Sequence, residues 1–217
     1  MQWQDKGQGF LRKNLSGESE YSSFIPSSLD TVVPVELSEE TVRLLSACSR
    51  KLGELEGMLR FAPNASMYLA MYVRKEALLS AQIEGTQCTF DDILDPGNVE
   101  LAQRDVADVV NYIRATEYAV RRMNELPLCM RLLKEVHAEL LSGTRGSEKN
   151  PGEVRSSQNW IGPAGCGLRN AAYIPPNVDD MHDALGELDK FINSDIAIDP
   201  IVKASLCLLY TSPSPRD

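Results

Sequence analysis

Apolar positions recur at helical spacing over most of the chain. Val42, Leu44, Leu45, Leu52, Leu55 and Leu59 form a stripe behind Ser38. Ser38 is a good N-cap, and Glu39 and Glu40 follow it at the end of the helix that favours acids. "FAPN" at 61–64 breaks this helix. A second runs from about Ala65 to Glu84 and stops at Gly85, a residue free to adopt the left-handed conformation that ends helices. Thr89 with Asp92 predicts a capping box for a short helix to about Leu94, and "DPG" at 95–97 predicts a turn. Leu101, Val106, Val109, Val110, Ile113, Tyr118 and Val120 mark a long helix over about 99–124. Pro127 separates it from another over about 128–141, closed by Gly143.

The pattern then changes. Residues 144–176 hold five glycines and four prolines and few periodic positions. "SQNWIG" and "AAYIPP" flank "PAGCGLRN", which predicts a β-hairpin with a long loop. Asn177, with Asp179 and Asp180 behind it, caps a helix to about Asn193. Asp199–Pro200 opens another, with proline at the first helical position. Residues 1–37 are polar, carry Pro26 and Pro34, and read as an extended, partly ordered arm. The last helix runs from "PIVKASL" into "CLLYTSPSPRD". Residues 207–217 read either as the translation of a sequencing adapter, in which case the native chain is expected to stop near Leu206, or as a genuine disordered C-terminus.

Composition adds limits. The 217 residues are 43 % hydrophobic and 24 % charged, ordinary for a globular protein with a core. The net charge of −9 argues against a broad nucleic-acid surface. No apolar run approaches the roughly 20 residues of a membrane span. Five cysteines, none in a C-x-x-C pair, argue against a zinc site or disulfide framework and suit reduced thiols in the cytoplasm. His137 and His182 have no ligand pattern beside them, no nucleophile elbow occurs, and there is no Walker-type phosphate loop. Arg145, Arg155 and Arg169 leave room for a local cationic pocket. The loop 143–162 reads either as a clamp built on Arg145 and Arg155 or as an edge that recruits an extended peptide. Glu84 is an acid at the end of a helix where a base would suit the dipole better. Taken alone it reads as a solvated side chain at a fraying end.

Several segments together resemble the Fic family of protein adenylyltransferases, in the class with an N-terminal inhibitory helix. Ser80, Glu84 and Gly85 match the inhibitory pattern [ST]-x-x-x-E-[GN], and "RKEALLSAQIEGTQCTFDDIL" (74–94) is similar to the family's N-terminal domain. "DVVNYIRA", "LLKEVHAELLSGTRG", "NPGEVRSSQNWIG" and "AAYIPP" resemble its core and the hairpin called the flap, in the same order. The resemblance implies a mainly α, Fic-like fold with one β-hairpin and an incomplete core. It implies an N-terminal helical domain over 1–97 and a partial core over 98–206.

It also implies transfer of AMP from ATP, with magnesium, to Ser, Thr or Tyr hydroxyls of a target protein. In this reading Glu84 inhibits, and Asn159, Trp160, Ile161, Gly162, Tyr173, Ile174 and Pro175 form the target-binding flap. The family's chemistry resides in a loop HPFx[DE]GNGRxxR. No such stretch occurs in these residues, so the chain is expected to carry no catalytic or metal-binding residue, to be inactive alone, and to be either poorly stable or self-associating through exposed core. Two other readings stay open: a non-catalytic helical protein-binding module, and an enzyme that both adds and removes AMP.

Overall fold

The computed structural model describes residues 9–29, 35–83, 85, 87–94, 103–143, 148 and 150–211. They fall into two compact units, residues 37–153 and residues 1–36 with 154–217. The boundary expected at 97/98 lies in 95–102, outside the described residues.

The first unit is helical. Helix α1 (Glu39–Leu59) starts where Ser38 Oγ accepts the Thr41 N–H at 3.2 Å. Its apolar stripe forms, yet none of its residues is buried. Helix α2 (Ala65–Ile83) follows Asn64, whose φ of 59° turns the chain and whose carbonyl accepts the Met67 N–H at 2.9 Å. The capping box of α3 (Phe90–Leu94) is complete. Thr89 N–H donates to Asp92 Oδ2 at 2.7 Å, and Asp92 N–H donates to Thr89 Oγ1 at 3.3 Å. The Thr89 backbone N–H holds the Asp92 carboxyl below its ordinary range.

Helices α4 (Gln103–Arg122) and α5 (Met130–Leu140) pack as an antiparallel pair. The core joins Ala77 and Leu78 of α2, Cys88, Ile93 of α3, and Val106, Val109 and Ile113 of α4. Leu132 of α5 is also buried. Buried Asn111 Nδ2 donates to the Leu140 and Ser142 carbonyls at the C-terminal end of α5. Glu135 accepts Tyr118 Oη and Arg122 Nε, both at 2.9 Å, and Arg131 Nε at 3.0 Å. The Arg122 bond, then the Tyr118 bond, pull its carboxyl down to about 2.

The second unit corrects the expectation for the N-terminus. Instead of an extended arm, strands β1 (Gly9–Asn14) and β2 (Tyr21–Pro26) form an antiparallel hairpin, with Gly9 opposite Pro26 and Asn14 opposite Tyr21. The turn uses Leu15 and Gly17 at φ of 60° and 66°. This is the two-stranded sheet of the described residues; the flap, where strands were expected, pairs through a single bridge. Helix α6 (Val178–Ile192) is capped by Asn177, whose Oδ1 accepts the Asp180 N–H at 2.9 Å. Helix α7 (Pro200–Thr211) opens with Asp199 Oδ1 accepting the Ile201 N–H at 2.8 Å. Leu29, Leu188 and Phe191 form the core of this unit, joined by Ile192, Ile196, Leu206 and Cys207. The fold is therefore mainly α with one two-stranded hairpin. Among the described residues no helix is long and apolar enough to cross a membrane.

Candidate functional site: the flap

The two legs of the flap meet at Ile161 and Tyr173. Ile161 N–H donates to the Tyr173 carbonyl at 2.9 Å, and Tyr173 N–H returns the bond at 3.1 Å. A ladder cannot extend toward the base, because Pro175 and Pro176 have no N–H to give. Side chains take its place. Gln158 Nε2 reaches the Pro175 carbonyl at 3.1 Å, and Arg155 spans from the Ser157 carbonyl at 2.8 Å to that of Pro176. The clamp reading of Arg155 therefore describes this residue. Its burial pulls the guanidinium below the usual arginine value, and it meets carbonyls rather than a carboxylate.

Beyond the bridge, Gly162 sits under the turn. A Cβ there would lie 2.5 Å from Cys166 Sγ and 3.3 Å from Ala171 Cα, so only glycine fits without a shift. Trp160 Nε1 donates to the Cys166 carbonyl at 3.0 Å, which ties the indole to the same turn. Burial raises the Tyr173 phenol above its ordinary value.

Ile161 directs both backbone groups at the opposite leg, its N–H to the Tyr173 carbonyl and its carbonyl to the Tyr173 N–H and, at 2.8 Å, the Ala172 N–H. Alternation along an antiparallel strand therefore turns the N–H and C=O of Trp160 and Gly162 to the opposite side. The side chains there are open, with Ile161 59 % and Trp160 41 % exposed. The geometry thus brings Asn159, Trp160, Ile161, Gly162, Tyr173, Ile174 and Pro175 together at one hairpin-like edge.

The other expected site lies in the helical unit. Ser80 is exposed on α2, and Gly85 has φ of 95° with its N–H on the Gln82 carbonyl at 3.1 Å, as a helix-ending glycine should. Glu84 and Arg145 lie outside the described residues. Sequence reasoning missed the role of Gln158 in closing the flap; a long amide side chain across from Pro-Pro was the available signal. His137, expected to be structural or at the surface, has a structural contact: its Nδ1 accepts the Gly152 N–H at 2.9 Å and anchors the loop after α5. Gly152, at φ of 84° and with the Lys134 carbonyl 3.1 Å from where a Cβ would stand, is needed for that approach.

Residues 42–121 match the Fic/DOC family N-terminal model. The fold is similar to the crystal structure of a Fic family protein from Desulfovibrio desulfuricans G20, with a TM-score of 0.59 at 18 % identity over 82 % of this chain. The chain spans about half of that protein, 52 % of its length. No curated protein matches the sequence.

Proposed function

We propose that this chain supplies the regulatory helix and the target-docking flap of a protein adenylyltransferase, which moves AMP from ATP to a Ser, Thr or Tyr hydroxyl of a target protein. The observation that carries the reading is the open edge at Trp160–Gly162. An extended target segment adds to such an edge as a strand. Main-chain hydrogen bonds supply affinity largely independent of its sequence, and Ile161 and Trp160 supply apolar contact. Holding the segment fixed is the flap's contribution to rate, because it converts an encounter into a positioned reaction. The match of 42–121 to the Fic/DOC N-terminal model supports the same assignment, and Ser80, Glu84 and Gly85 fall within that span.

In this reading magnesium and ATP are bound by the whole enzyme, and the residues that hold them lie in the family's catalytic loop. Among the described residues no group of three or more His, Cys, Asp or Glu is placed to hold a metal ion. The family pattern for that role, HPFx[DE]GNGR, has no match in the sequence. No chemical step is therefore assigned to this chain. Its part is docking and, through Glu84, restraint of the nucleotide site.

The test is made on a gene product that extends past Leu206 and contains HPFx[DE]GNGR. Replacing Glu84→Gly should raise labelling of a target, or of the protein itself, from ATP labelled at the α-phosphate. Labelling that stays at the level of the parent protein rejects the inhibitory role. A locus with no such motif downstream favours a binding module instead.

A further inference from the structure

The N-terminal hairpin and the flap are joined. Phe24 N–H donates to the Ile174 carbonyl at 2.9 Å, so β2 pairs on its outer side with the second leg of the flap. Ile174 lies next to Tyr173, which bridges to Ile161. The backbone thus runs β1, β2, 173–174, 161 as four adjacent extended segments. Its last member carries the open edge.

Side chains reinforce the join at both ends. The Phe24 and Tyr173 rings lie 6.3 Å apart, tilted by 43°. Tyr21 Oη donates to Gln158 Oε1 at 3.4 Å, and Gln158 is the residue that closes the flap base. Asn14 Nδ2 donates to Ser23 Oγ at 2.8 Å inside the hairpin, while its Oδ1 accepts Asn177 Nδ2 at 2.9 Å just past the flap. Arg12 pairs with Asp180 one turn further on. A flap with one backbone bridge of its own therefore leans on a hairpin with a full ladder.

We propose that residues 9–26 form a brace that belongs to the docking edge. Phe24, through its backbone N–H, and Asn14 are positioning residues for the extended peptide segment that pairs with Trp160–Gly162. The proposal rests on the reading of the flap as a docking edge. It predicts that changes in the N-terminal hairpin, remote in sequence, alter how the flap presents itself.

The test uses the 217-residue chain carrying Trp3→Phe, which leaves Trp160 as the one tryptophan of the two in the sequence. The Phe24 N–H points away from β1, so Phe24→Pro removes the bond to Ile174 and none of the β1–β2 bonds. Phe24→Leu keeps the N–H and loses only the ring. Amide exchange is read at Ile161 and Tyr173, with Ser23 as the reporter of the hairpin itself, and Trp160 emission is recorded alongside.

In Phe24→Pro, exchange at Ile161 and Tyr173 should accelerate at least about tenfold and the emission should change, with Ser23 still protected. Phe24→Leu should restore most of the protection. Asn14→Ala, which leaves the strand backbone intact, should give about a threefold acceleration of the same amides. Unchanged flap exchange in Phe24→Pro and Asn14→Ala overturns the brace. So does loosening that occurs only together with loss of Ser23 protection in Phe24→Pro and is absent in Asn14→Ala. These readouts involve neither target nor nucleotide. Their failure leaves the docking reading standing, whereas an intact brace with no effect of flap edits on target labelling defeats the docking reading alone.

Discussion

The two hairpin-like segments of the second unit are built by different means. In residues 9–26 the backbone does the work: six residue pairs stand in register, and Ser23 between them is fully buried. In residues 158–175 one residue pair bridges, and Gln158 and Arg155 stitch the rest through side chains. The reason lies in the residue types. Prolines 175 and 176 withhold the donors a ladder needs, while β2 holds its own proline at its final position, where none is missed. The difference suits a division of labour in which one segment supplies rigidity and the other keeps an edge free.

The glycines break or sharpen this comparison most strongly. A Cβ at Gly9 would overlap the Ile25 carbonyl oxygen and meet the Phe24 ring, both within the ladder. Gly9→Ala should therefore cost about 1–3 kcal/mol, at the upper end of that range, with no single side-chain change to relieve it. Gly162→Ala meets a side chain, Cys166 Sγ. It should cost within the same range of about 1–3 kcal/mol, and Cys166→Ala should recover most of the loss. Thermal melts of the two singles and the double variant check this; additive losses would show that the flap turn is as unyielding as the ladder.

Next in size is Arg155→Ala, which leaves two carbonyls of the flap base without a donor. About 1–2 kcal/mol is expected, with faster exchange at Tyr173, and Arg155→Lys should recover part because lysine reaches one carbonyl but not both. The helical unit offers a comparison in pH. Glu135 is held at about 2, below its ordinary 4.5. Its contribution is present above about pH 4.5 and is lost as pH falls through about 2. Glu135→Gln should flatten that acid limb, read as the melting midpoint of the helical signal between pH 5 and 2. The smallest effect is expected at the exposed Lys13–Glu20 pair, 3.2 Å apart beside the hairpin turn. Lys13→Ala should move stability by no more than about 0.5 kcal/mol, which would show that the ladder and not this ion pair holds the hairpin.

Local signals in the sequence carried far. Ser38, Thr89 with Asp92, Asn177 and Asp199 each predicted a helix start, and each makes the expected bond, because a cap is a contact within a few residues. The stripe of α1 was legible as a helix face, but Val42, Leu44, Leu52 and Leu55 remain exposed. Periodicity reports a face and not what covers it. The N-terminal hairpin was passed over since its polar residues hide the pairing, although Tyr21, Phe24 and Ile25 between a Ser-Gly turn and Pro26 were a strand signal. At the flap, the residues were legible while the means of closure was not. A glutamine and an arginine replacing a ladder depend on how the two legs meet across some 20 residues, which no local pattern encodes. Glu84, the residue on which the inhibitory reading turns, lies outside the described residues, and its role rests on the experiment with Glu84→Gly.

The open edge is tested most directly by residue-resolved amide exchange along 160–162 in the 217-residue chain. Protection should alternate: Ile161 slow, through its bond to the Tyr173 carbonyl, with Trp160 and Gly162 fast on either side. Three amides that exchange equally fast would mean that the flap is not closed at Ile161. Three equally protected amides would mean that its edge is already taken, and either result would contradict a docking edge at Trp160–Gly162.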